Sequence, residues 1–131
     1  MNYKGVIIEE SLENKDILKD VKILSTKVEK VTKEHETPWL SKWTLDTIEI
    51  PEDEAKEVAE KISKSLDRAH NGSWYADFKN DTHHYIIFRD KVFYIDRESK
   101  EQYDEAERYG ISLGIPKHQL INYKGEYKDA V

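Results

Sequence analysis

The sequence predicts an α+β domain: a largely antiparallel sheet of five to six strands, with two helices on one face. Three observations carry that expectation. Short β-type runs occur in groups joined by turn-length connections, where an α/β chain would alternate them with helices. A strongly amphipathic helical segment lies between Pro51 and Asn71-Gly72, and a second helical pattern follows Ser99. The densest apolar and aromatic block, Tyr85-Ile86-Ile87-Phe88 and Val92-Phe93-Tyr94-Ile95 about the charged Arg89-Asp90-Lys91, reads as a β-hairpin.

Taken in order, Tyr3 to Glu10 is a short apolar run and reads as the first strand, and Ser11 to Asp20 as a loop or a turn of helix. Val21 to Lys33 is rich in β-branched residues, but its alternation slips between Ile23 and Leu24, which predicts a β-bulge. Trp43 to Ile50 reads as a strand antiparallel to it, stopped by Pro51, a residue suited to the start of a helix. Ala55, Val58, Ala59, Ile62, Leu66 and Ala69 then form one apolar stripe, with Glu57–Lys61 and Glu60–Lys64 as supporting pairs on the other side.

Strands are expected from Trp74 onward and through the hairpin. Alternation places His84, Ile86, Phe88, Phe93 and Ile95 on one hairpin face, and Tyr85, Ile87, Val92 and Tyr94 on the other. Both faces are apolar, so the hairpin is expected at the centre of the sheet, covered on both sides. Ser99 and Gln102 have capping-box spacing, Tyr103, Ala106, Gly110 and Leu113 keep helical spacing, and Gly114 closes that helix before Ile115-Pro116. The order is β-β-β-α-β-β-β-α. The YIIFRDKVFYID strand pair, the helix after it and the GIP break resemble a group of small bacterial and archaeal proteins over Trp74 to Leu120; the resemblance implies no reaction.

Length and composition bound the function. At 131 residues the chain is expected to be one domain, 1–131, with frayed last residues. It has no cysteine, which excludes disulfide scaffolds, thiolate zinc sites and cysteine nucleophiles. The net charge of −6 is spread evenly with no basic arm, so nucleic acid is not an expected partner. No apolar run is long enough for a membrane span and the N-terminus lacks a signal pattern, which predicts a cytoplasmic protein.

No GxSxG, GxxxxGK[ST] or GxGxxG pattern is present, so no catalytic residue, metal ligand or cofactor is assigned. Glu34-His35-Glu36 is a carboxylate-flanked histidine of a kind that chance supplies in an acidic chain. The aromatic residues Trp43, Trp74, Tyr75, Tyr85 and Tyr94, with Asp77 and His84 as polar members, are the candidate ligand-binding set, Trp39 being a further candidate rim residue. The functional expectation is a non-catalytic module binding a small apolar ligand or a protein partner, with a homodimer through a sheet edge, 3–10 or 21–33, as one form of partner. The alternative is a small metal-assisted hydrolase using His83 or His84 with Asp77 or Asp81.

Overall fold

A computed structural model describes residues 1–30, 42–67, 74–115, 117, 120 and 121. Its elements are β1 (Tyr3–Ile8), β2 (Lys22–Lys30), β3 (Lys42–Ile50), α1 (Ala55–Ser65), β4 (Tyr75–Lys79), β5 (His83–Phe88), β6 (Lys91–Asp96) and α2 (Lys100–Ser112). Single 3-10 turns at Glu9–Ser11 and Lys15–Lys19 fill the connection between β1 and β2. The class and the element order are those expected. The strands form one six-stranded sheet in the order β2-β3-β1-β4-β5-β6, with every neighbouring pair antiparallel.

Two expectations are corrected. The helices lie on opposite faces of the sheet, not on one. Tyr85 and Ile87 of β5 join Ile7, Ile48 and Phe78 in a core with Val58, Ala59 and Ile62 of α1. Ile86, Phe88 and Ile95 join a second core with Tyr103 and Ala106 of α2. Successive side chains of a strand point to opposite faces. Since β5 is apolar at both parities, it needs a helix on each side.

The hairpin is also not central. β5 is second from the end, β6 is the edge, and β1 and β4 occupy the middle. The two-sided burial holds for β5, which is buried at all but its first position, whereas β6 is exposed at Lys91, Tyr94 and Asp96. The cross-strand pairs Tyr85–Tyr94, Ile86–Phe93 and His84–Ile95 place each residue on the face that alternation assigned.

Gly5 explains why β1 sits in the middle despite its short apolar run. It lies opposite Phe78, and a Cβ there would come within 2.0 Å of the Asp77 carbonyl oxygen. Only glycine permits that approach. Because β1 has β3 on one side and β4 on the other, the 3–10 run is not a sheet edge, which corrects that choice of dimer edge. The 21–33 run does supply one: β2 ends the sheet, and its register shifts between Ile23 and Ser25, where the bulge was expected.

Local signals place the helix ends. α1 stops at Ser65 because the chain then turns back on the β1–β2 connection: Leu66 bridges to Leu12, and the Asp67 N–H donates to the Ser11 carbonyl at 2.7 Å. This corrects the expected continuation of the helix through Leu66, whose backbone is extended; Ala69 and Asn71-Gly72 lie outside the described residues, as do Glu34-His35-Glu36 and Trp39. Ser99 caps α2 by accepting from the Gln102 N–H, and Gln102 Oε1 in turn accepts from the Asp96 N–H at 2.7 Å. Gly114 follows at φ 91°.

Candidate functional site

The sheet distributes the expected ligand-binding residues over both of its faces, so they do not line one pocket. Asp77 and His84 come together, because β4 and β5 pair with Lys79 opposite His84 and both side chains point toward α2. His84 Nε2 lies 2.6 Å from Asp77 Oδ2, and His84 Nδ1 lies 3.0 Å from the Tyr103 hydroxyl of α2. Burial raises the Tyr103 phenol above its usual range, opposed by the charge of Arg97 and a hydrogen bond from it. His84 is 0% exposed and Tyr103 1%. A fully enclosed imidazole with a partner at each nitrogen cannot meet a substrate from solvent. What it does is tie α2 to the sheet, satisfying polar groups that would otherwise be costly to bury.

Tyr85 and Tyr94 stand on the α1 face, 4.7 Å apart between ring centroids, and Tyr3 packs edge-on to Tyr85 at 5.3 Å. Burial, with a hydrogen bond to Tyr94 next, raises the Tyr3 phenol. Tyr94 reaches solvent at 54% exposure and stacks on His83, rings 4.6 Å apart and nearly parallel. Trp43 and Trp74 do meet, at 5.5 Å, and Trp74 is buried. Tyr75 is on the other face, against Phe88 at 5.6 Å. His83 and His84 point to opposite faces, and among the described residues no group of three or more His, Asp or Glu is placed to hold a metal ion.

A different surface stands out once the sheet order is known. Nearly all of the nine residues of β2 are exposed, and its outer edge has no neighbouring strand among the described residues. Three of the large exposed apolar side chains lie on it: Ile23 at 42%, Leu24 at 42% and Val28 at 59%. The others, Met1, Tyr94 and Ile111, are scattered singly. Lys27 beside Val28 pairs with Glu29 at 3.3 Å, and Lys22 reaches Glu49 at 3.8 Å.

Beneath β2 sits a polar support. Asp46 of β3 is fully buried, and its Oδ1 accepts from Thr26 Oγ1 of β2 at 2.7 Å. Its Oδ2 is buried with no hydrogen-bond partner among the described residues. Glu9 lies next to this carboxylate: hydrogen bonding with the Asp46 side chain, then burial, then the charge of Asp46 push the Glu9 carboxyl up to about 7. Glu10 behaves differently. Burial would raise it, but the Thr44 N–H and Oγ1, donating at 2.6 and 2.8 Å, hold it below the usual carboxylate range.

Sequence reasoning missed Tyr103, Arg97, Glu9 and Asp46 as partners. Asp46 carried a usable signal, since it shares the parity of the buried Ile48 and Ile50 in a strand. A carboxylate on the apolar face of a strand must find donors. Tyr103 was legible only as part of an apolar stripe; nothing in the chain tied it to His84. No protein-family model, curated protein or solved structure matches this chain, and no helix among the described residues is long and apolar enough to cross a membrane.

Proposed function

We propose that this protein is a non-catalytic binding module that accepts a further β-strand along the outer edge of β2. The observation that carries the reading is the exposure of Ile23, Leu24 and Val28 on an edge strand without a neighbour among the described residues. An unpaired edge offers backbone N–H and C=O groups to any extended chain, and proteins ordinarily blunt such edges with short strands, charge or bulges. Here the bulge lies at one end, and the run from Ser25 to Lys30 is regular and paired throughout on its inner side. Strand addition of this kind draws affinity from main-chain hydrogen bonds and selectivity from alternate side chains.

The enclosure of His84 favours binding over hydrolysis, since the best-formed polar group has no access to a substrate. A small apolar ligand is the weaker form of the reading. Of the expected aromatic residues that are described, only Tyr94 is more than half exposed, and the rings lie on two faces.

Backbone amide spectra of isotope-labelled protein, recorded against a panel of extended peptides of about nine residues (one per β2 position), test the proposal. Binding is expected to shift the resonances of Lys22–Lys30 and to leave α1 and α2 unchanged. Val28→Lys is expected to abolish it without altering the fold, because Val28 is an exposed side chain. A panel that shifts no β2 resonance, or shifts only residues around Tyr94, contradicts it.

A further inference from the structure

Resting on that reading of β2, we infer that the strand it accepts is the β2 of a second copy of this chain, paired antiparallel about a two-fold axis at Val28. The charge pattern of the edge selects that register. A two-fold axis perpendicular to the sheet pairs residues at equal distances on either side of its centre, so each choice of centre fixes every cross-strand partner. Like charges placed directly opposite are destabilising, and opposite charges are favourable.

Centres at Lys27, Glu29 or Lys30 each set a charged residue against its own copy. A centre at Thr26 faces Lys22 with Lys30 twice, and it draws the irregular pairing between Ile23 and Ser25 into the new ladder. A centre at Ser25 draws in the same irregularity. Counting pairs between described residues, the centre at Val28 alone avoids both faults. It sets Lys27 against Glu29 of the second copy and Glu29 against its Lys27, with the two Val28 side chains in contact on the other face and Thr26 beside Lys30.

The existing Lys27–Glu29 pair within the strand is 3.3 Å long; the Lys27 side chain is 70% exposed, so its ammonium is free to swing outward, while the Glu29 side chain is only 19% exposed. Among the described residues no strand lies along the outer edge of β2. β3 pairs with β1 only from Leu45 onward, so the β2–β3 ribbon around Val28 and its partner Thr44 runs on past β1. Two such ribbons meet side by side with their sheets extending away from each other.

Sedimentation equilibrium of the full chain from about 10 µM to 1 mM, with Lys27→Glu, Glu29→Lys and the double exchange, tests this. The wild type is expected to dimerise. Each single reversal is expected to weaken the dimer by roughly tenfold or more, since two symmetric pairs turn repulsive at once, and the double exchange is expected to restore it. Circular dichroism melting confirms that each variant is folded. As a second readout, Val28→Cys is expected to form a disulfide-linked dimer under mild oxidation, because directly opposite residues in an antiparallel pair lie within bridging distance and the chain has no other cysteine. Lys22→Cys is expected not to cross-link.

A wild type that stays monomeric over the whole range overturns the inference. So does a dimer indifferent to the reversals, or cross-linking at Lys22→Cys in place of Val28→Cys. If the chain is monomeric while foreign peptides still shift β2 resonances, the occupant was misassigned and the strand-accepting edge stands. If neither occurs, both readings fall.

Discussion

Glu9 shows how one carboxyl makes stability depend on pH. Its folded pKa of about 7 lies above the ordinary carboxylate value of 4.5. The folded state therefore holds the proton more tightly than the unfolded chain. The stabilisation it gives is complete below about 4.5 and is lost as pH rises through about 7. Above that, Glu9 and Asp46 repel beneath β2, with Glu10 adding negative charge and Lys15 opposing it. Glu10 works in the other direction: its lowered pKa gives stability present above the ordinary value and lost on acidification. Thermal melting from pH 5 to 8 is expected to show the midpoint falling, and Glu9→Gln is expected to flatten that fall, since an amide donates to Asp46 at every pH. A wild-type midpoint that rises over that range contradicts the assignment.

Tyr103 makes a second residue-scale test. Tyr103→Phe keeps the ring but removes the hydroxyl 3.0 Å from His84 Nδ1, leaving a buried nitrogen unserved. The expected loss is about 1–3 kcal/mol by urea unfolding. An unchanged stability means that the hydroxyl bond does not hold α2. At this scale the sequence showed which residues alternate, so Asp77 and His84 were named together. It did not show that their third partner lies on a helix 19 positions further on, because nothing local links a strand histidine to a distant phenol.

At the scale of elements, the signals that were legible are the ones written in neighbouring residues. The slipped alternation at Ile23 and Leu24 became a register shift, the hairpin faces came out as assigned, and Ser99 caps α2. The side on which each helix lies was not legible, because alternation fixes which residues share a face but not which element covers it. β1 adds a test of the sheet's centre. Gly5→Ala would push a methyl group into the Asp77 carbonyl, backbone that cannot swing aside. The expected cost is roughly 3 kcal/mol, read as a lowered unfolding midpoint. A neutral substitution would place β1 and β4 further apart than the pairing requires.

For the molecule as a whole, the order β2-β3-β1-β4-β5-β6 decides which strand is left as the exposed apolar edge. The densest apolar block lies near one end of the sheet, sealed by a helix on each face of β5, and its histidine is enclosed. The other end is a long strand with aliphatic side chains facing water. Strand order was not written in any local pattern, since β1 joins the middle of the sheet through pairings with β3 and β4, distant in sequence. That is why the candidate site moved from the hairpin tyrosines to β2.

Amide hydrogen exchange, followed by mass spectrometry at low and high protein concentration, bears on this most directly. β1, β4 and β5 are expected to be the slowest strands at both concentrations, while β2 exchanges fast when dilute and slows markedly when concentrated. Exchange of β2 that is equally slow at both concentrations, or β5 exchanging as fast as β2, would contradict it.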